Sequence, residues 1–345
     1  MAEHHNLPVT FHFSHDYCFF LHDQLVETLK SGEKAGIFSH CWIPTEGEEF
    51  PPEGLSGEEL MEWLESNGQK DVVYVLYYKQ ICAAILSDML HFIYEALSCS
   101  AKGKLTVAYA LLRKPLKENL FYLEWLLAEP GEMLEAFDGA SLRARSIDKA
   151  FDPAKKVEVI SKALQATEHG HWIDAKFIYD LRYNKEFSAG MEPLFQKANH
   201  LITSFRFMET ERSNFNFVFS DEHSWQSQWE GIYSFLPILL FHVVQVVEAL
   251  IANFAKRQSD IDFTSLRTTI GMMFWLERGP HAAKSDQLRG DMKKSFEAAG
   301  LSCPDCDRKI RFDDNQLLGL YQTNQLSCDN CSWSVDLGAV ETGNL

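Results

Sequence analysis

The clearest chemistry in the sequence lies near its C-terminus. Cys303, Cys306, Cys328 and Cys331 form two Cys-x2-Cys pairs with 21 residues between them. Each pair can make a tight knuckle with both thiolates aimed at one ion, and a second knuckle from an opposing strand completes a tetrahedron. Four soft ligands, a short turn within each pair and a long return spacer meet the requirements of a zinc site. Iron is the chemical competitor, since four thiolates suit it as well. With four protein ligands the metal has no open position, so it is expected to hold the fold without performing a reaction. The other cysteines, Cys18, Cys41, Cys82 and Cys99, share no spacing and read as small core hydrophobes.

The segment LSCPDCDRKIRFDDNQLLGLYQTNQLSCDNCSWSV resembles the zinc ribbon family over about residues 301–338. The resemblance implies a small β module in which these four cysteines ligate one structural zinc. Arg308 to Phe312, Leu318 to Leu326 and Ser332 to Leu337 are its candidate strands. Many zinc ribbons bind nucleic acid, but charge opposes that here. Residues 301–345 hold Arg308, Lys309 and Arg311 against six aspartates and Glu341, or 3 minus 7, a net of −4. A ribbon that contacts protein or only stabilises the chain is preferred, with Trp333 and Tyr321 either contact residues or the module's own minimal core.

Other ionisable groups lie upstream on apolar helices. Asp88, His91 and Glu95, at i, i+3 and i+7, share one helix face, and form either a metal or acid–base set or a polar edge facing solvent. The polar edge is preferred. Arg113, Lys117 and Glu124 lie on one side of the next helix. Arg113 needs a carboxylate there, Glu118 or Glu95, because an isolated buried guanidinium is costly. His242 sits on an apolar stripe with Phe235, Leu239, Val246 and Leu250, with Glu248 on another face, and reads as a satisfied core histidine. His200 and the group Glu168, His169, His171 have no partner that spacing can identify.

The run ALLRKPLKENLFYLEWLL, followed by further amphipathic helices, is faintly similar to HEPN-like helical domains over at most residues 71–255. That resemblance implies RNA cleavage in a toxin or phage-defence setting. The family's signature is an Arg followed four to six residues later by His. No histidine of this chain stands at that distance after an Arg, so no catalytic residue is carried over. The phosphate loop, dinucleotide fingerprint, nucleophile elbow and zincin motif are also missing from the sequence. The alternative to an interaction or regulatory module is thus a helical ribonuclease or other hydrolase, with a site among Arg113, Glu118, His91, Glu95 and His242.

The elements that must position these groups are mostly helical. Ser56 and Glu59 make a capping box for a helix through Glu65, after a Pro- and Glu-rich loop from Thr45 to Gly57. Apolar stretches of helical length run from Asp71 to Ser98 and from Leu105 to Ala128, where Pro115 should kink the second. Asp152 and Pro153 form an N-cap and N1 pair for a helix through about Glu168. Further helical periods cover His171 to Tyr183, Met191 to Thr203, Gln226 to Ala255, Thr264 to Glu277 and His281 to Ala299. Only Ser213 to Ser220, SNFNFVFS, alternates like a strand. The expected fold class is mainly α, a large multi-helix domain over 1–299 followed by a small β zinc ribbon over 300–345.

Composition bounds the rest. The chain has 345 residues, 46% of them apolar, enough for a large core. Its charge is 32 minus 49, or −17. That acidity works against phosphate backbones and anionic lipid, so the expected partner is protein. The apolar run Ile232 to Ala255 is interrupted by Pro237, His242, Gln245, Glu248 and Asn253, and reads as a buried helix rather than a span. The N-terminal residues lack the basic and apolar pattern of a signal peptide, and the cysteine usage fits a reducing, cytoplasmic compartment.

Overall fold

The computed structural model describes residues 3–39, 50–139, 141–168, 170–255, 263–279 and 289–336, the last stretch without 291, 295 and 297–299. Helix α1 (His12–Lys34) is followed by α2 (Gly57–Ser66), α3 (Lys70–Ala101) and α4 (Leu105–Lys114). A π-helical turn at Pro115–Asn119 joins α4 to α5 (Leu120–Ala128). Next come α6 (Pro130–Asp138), the short α7 (Leu142–Arg145) and α8 (Ile147–Ala150), and then α9 (Pro153–Gln165). The body continues with α10 (Ala175–Tyr183), α11 (Glu192–Asn199), α12 (Glu222–Tyr233), α13 (Leu236–Ala252) and α14 (Phe263–Arg278). A last helix, α15 (Asp314–Thr323), precedes the strands β1 (Gln325–Ser327) and β2 (Ser334–Asp336). The chain is mainly helical, with a small C-terminal hairpin beside its cysteine cluster.

Several local signals act as their chemistry requires. The Ser56 side chain accepts from the Glu59 amide, and the Glu59 carboxylate accepts from the Ser56 amide, which starts α2. Asp152 accepts from the Lys155 amide and Pro153 fills the first turn of α9. The apolar run after residue 232 divides in two. Phe235 leaves helical geometry and Pro237 stands in the first turn of α13, so α12 ends at Tyr233 and a new axis begins.

Helix α13 is apolar on almost every face, and the fold wraps it accordingly. α1, α5, α12 and α14 all pack against it, burying Leu239, Val243, Val246, Val247 and Leu250 completely. α3 lies along α1 and α4, while α9 packs on α5, and α10 packs on α9 and the π turn. By length and composition, Lys70–Ala101 and Glu222–Ala252 could each cross a membrane, but 67% of the apolar window in the second is buried within the fold. The Ile232 to Ala255 run is thus a break followed by the central core helix.

Four sequence expectations are corrected. Ser213 to Ser220 is not a strand. Ser213 and Phe217 have φ of 63° and 60°, so turns replace the pleat and its aromatic residues do not share one covered face. Leu318 to Leu326 is mostly helix, because Asp313 caps α15 by accepting from the Asn315 and Gln316 amides, and only the last residues enter β1. Arg308 to Phe312 contributes a single antiparallel bridge, Ser302 to Lys309, instead of a strand. Pro115 opens a π turn in place of a simple kink. The cysteine at 41, His169, part of the 45–57 loop and most of the expected 281–299 helix lie outside the described residues.

The C-terminal segment rests on the helical body. Tyr321 of α15 is 7% exposed and packs against Phe20, Tyr17 and Phe13 of α1 and Phe274 of α14. Arg267 of α14 donates to the Tyr321 carbonyl at 3.0 Å and lies over the Phe20 ring. The approach is close enough to require glycine at 271, where a Cβ would come within 2.4 Å of Tyr17 and 2.8 Å of Tyr321.

Candidate metal centre and buried polar networks

The first cysteine knuckle is built by backbone. The Asp307 amide donates to the Cys303 carbonyl at 2.9 Å, and the Cys303 amide donates to the Arg308 carbonyl at 2.8 Å. Asp307 takes a left-handed φ of 56° to close the turn, which places both sulfurs on one side. In the second knuckle the Cys328 amide donates to the Trp333 carbonyl at 2.9 Å, and β1 pairs with β2 through Leu326 and Val335.

All four sulfurs lie within 4.8 Å of one another. Cys303 Sγ and Cys331 Sγ are 3.5 Å apart, and Cys306 Sγ and Cys328 Sγ are 3.7 Å apart. A tetrahedral ion with metal–sulfur bonds of about 2.3 Å needs sulfurs roughly 3.8 Å apart. The donor set therefore fits one four-coordinate ion. Around it, the Asn330 amide points at Cys328 Sγ at 3.4 Å and Asn330 Nδ2 at Cys306 Sγ at 3.5 Å. Such outer donors orient thiolates and favour their ionised form. Hydrogen bonds from the Arg308 backbone and from Asn330 pull the Cys306 thiol down to about 7. A cluster of this kind beside a two-stranded sheet is consistent with a zinc-ribbon-like site.

Neither aromatic residue proposed for the ribbon is a free contact group. Tyr321 belongs to the seam with α1 and α14, and Trp333 is half-buried against the same core.

In the helical body, of the groups proposed for a hydrolytic site only Arg113 and Glu118 are paired with one another among the described residues. His91 and Glu95 are exposed on α3. Asp88, on the same face, is committed to structure, accepting from Lys114 Nζ and, at 2.7 Å, from Asn119 Nδ2. Arg113 pairs with Glu118 at 3.2 Å near the surface, one of the two partners expected for it. His242 is fully buried and joined to none of these.

His242 instead meets two groups that spacing did not connect to it. Glu124 of α5 accepts from His242 Nε2 at 2.8 Å, and Arg182 Nη1 of α10 lies 2.7 Å from both Glu124 carboxylate oxygens. All three side chains are fully buried. Burial works to raise the Glu124 pKa, but the Arg182 guanidinium and the His242 hydrogen bond outweigh it and hold the carboxyl below its ordinary value. Arg182 Nε donates to the Leu116 carbonyl at 2.6 Å, and Tyr183 Oη donates to the Lys117 carbonyl at 2.5 Å. Both carbonyls belong to the π turn, so the network ties α10 to that turn.

A second buried network lies at the N-terminus. His15 of α1 hydrogen-bonds through Nδ1 to Tyr233 Oη at 2.7 Å, and Tyr233 Oη is 2.8 Å from Ser100 Oγ. His15 Nε2 has no partner among the described residues. Burial, and then the neighbouring His4 and His12, lower its pKa from 6.5 to about 3. The sequence reading missed both networks. Arg182 and Tyr233 come from distant helices, and the one available signal was an arginine in the period of an apolar helix face.

Compared as a whole chain, the protein matches no family model, no curated protein and no solved structure.

Two measurements check this account. Glu124→Gln leaves the Arg182 charge buried without a counter-ion and is expected to cost about 3–5 kcal/mol in urea unfolding. Adding Arg182→Met should return part of that loss, and a cost below about 1 kcal/mol would contradict the buried pair. For His15 the folded pKa lies below the unfolded one, so its contribution is complete above pH 6.5 and declines as pH falls toward 3. His15→Asn is therefore expected to lose about 2–3 kcal/mol less than the wild type between neutral pH and about pH 4.5. Equal acid sensitivity would count against the neutral buried imidazole.

Proposed function

We propose that the protein is a zinc-stabilised protein-interaction module of the cytoplasm. One observation carries the reading. Between α11 and α12, Leu201, Ile202, Phe205, Phe207, Phe215, Val218 and Phe219 are all exposed, Ile202 by 65% and Phe219 by 66%. Exposed apolar residues scattered singly are ordinary, whereas a cluster of large ones along one excursion marks a contact surface.

The excursion is ordered by its own hydrogen bonds. Asn216, 9% exposed, donates from its backbone amide to the Leu201 carbonyl and from Nδ2 to the His200 carbonyl. The Thr203 amide donates to Thr210 Oγ1 at 2.7 Å, and the buried Met208 anchors the inner side. His200 thus contributes a backbone carbonyl rather than a reactive imidazole. A pinned loop loses little further entropy on binding, which is what a recognition surface needs. Beside it lies a groove of about 290 Å³ lined by Phe215, Phe217, Phe219 and Leu194.

Charge narrows the partner. A chain at −17 repels a second copy of itself as well as nucleic acid and anionic lipid. The surface suits a protein segment that offers apolar side chains and a neutral or basic rim. Zinc is the ion that the four-thiolate set favours, and once bound it supplies cross-linking of the two knuckles and no open coordination position.

Elemental analysis of the purified chain is expected to give one zinc ion per chain, and none after Cys303→Ser with Cys306→Ser. Full zinc in that variant, or iron in the native chain, overturns the assignment. For the surface, a photo-crosslinking amino acid at Phe219 should trap a discrete protein in the cells that make the chain. The same group at the exposed Val9 is the control. Equal adducts at both positions, or adducts to nucleic acid or lipid alone, would sink the interaction reading.

A further inference from the structure

The first half of α1 carries a stripe of mixed chemistry. Asp16, Phe19, Phe20 and Asp23 stand at i, i+3, i+4 and i+7, so they share one helix face. That face forms one wall of a cleft of about 950 Å³, with Tyr94 of α3 and Tyr321 of α15 in the other walls. The volume lies at the upper end of small-molecule sites. The Phe19 ring meets Tyr94 edge-on at 5.9 Å between centroids, and the Phe20 ring meets Tyr321 at 4.8 Å. The stretch between the two carboxylates is thus aromatic.

Both carboxylates are held in place and still open to a ligand. His4 Nε2 lies 2.7 Å from Asp16 Oδ1, and His22 Nδ1 lies 2.9 Å from Asp23 Oδ1. The Oδ2 atoms accept no hydrogen bond among the described residues, and the two side chains are 48% and 69% exposed. The cleft is lined by three carboxylates, Glu3, Asp16 and Asp23, against one lysine, Lys102. Arg267 and Arg278 lie over the Phe20 and Phe13 rings, but neither lines the cleft. Negative charge prevails there. Burial and then the Asp16 carboxylate raise the Tyr321 pKa, and Arg267 offsets them by less.

We propose that this cleft binds a linear aliphatic polyamine of the spermidine class, with ammonium groups at Asp16 and Asp23 and the methylene chain across Phe19 and Phe20. Two turns of helix separate the carboxylates by about 10 Å along the axis, a span that the terminal amines of spermidine bridge and those of putrescine do not. Aromatic faces attract an organic cation and cover its methylene groups. A hydrated Mg²⁺ ion keeps its waters and gains little from the rings.

The test is calorimetric titration of spermidine into the full-length, metal-loaded chain at physiological salt, with putrescine and Mg²⁺ as companions. Saturable binding at one site per chain is expected for spermidine, roughly tenfold tighter than for either companion. Asp16→Asn with Asp23→Asn keeps an acceptor for each histidine and should weaken spermidine by about tenfold or more. Tyr94→Ala, at a half-exposed ring, should weaken spermidine and leave Mg²⁺ unchanged. Glu58→Gln with Glu65→Gln removes two exposed carboxylates of the same spacing on α2 and should change nothing. Absence of saturable spermidine binding overturns the proposal. So does equal affinity for putrescine or Mg²⁺, binding that survives loss of Asp16 and Asp23, or an equal loss in the α2 variant, which would mark unspecific attraction to an acidic chain.

Discussion

Pro115 has no backbone N–H to donate, yet it stands in the middle of an apolar helical path that the rest of the body packs around. The helix answers with a π turn, in which the Leu120 amide reaches back to the Pro115 carbonyl. Arg182 and Tyr183 of α10 donate to the Leu116 and Lys117 carbonyls of that turn. A guanidinium in the core needs a counter-charge, which Glu124 of α5 supplies, and His242 of α13 donates to the same carboxylate. These contacts tie α5, α10, α13 and the π turn into a single arrangement. Asn119, which donates to the Ile85 carbonyl and to Asp88, links the same turn to α3.

The Arg182, Glu124 and His242 contacts are internal and complete around the carboxylate, and no surface reaches them. His242 Nδ1, Trp125 Nε1 and Arg145 Nε are each enclosed without a hydrogen-bond partner among the described residues.

The C-terminal segment follows another economy. Some 45 residues cannot bury enough apolar surface to stand alone, and two supports compensate. The four thiolates cross-link the knuckles when an ion is bound, and Tyr321 inserts its ring among Tyr17, Phe20 and Phe274 of the body. The acidic character of the whole chain is compatible with this docking, since the seam is aromatic and closed by Arg267.

The four cysteines, the capping box at Ser56, the Asp152 cap and the apolar helices were legible because each is a local pattern, with a spacing or periodicity that one element must obey. The Ser213 to Ser220 alternation misled for the complementary reason. Strand formation needs a partner edge as well as a period, and left-handed turns at Ser213 and Phe217 took the chain elsewhere. The break before α13 was marked by Pro237, but the apolar run outweighed it in a reading without packing. What the sequence alone determined is therefore the mainly helical class, the two cysteine pairs that come together and the acidic composition. Only tertiary structure decided that His242 and Arg182 meet at Glu124, that Tyr321 joins the C-terminal segment to the body, and that the aromatic residues after α11 stay exposed. These depend on which distant groups come within hydrogen-bonding or van der Waals range, a property of the whole chain's packing that no local spacing encodes.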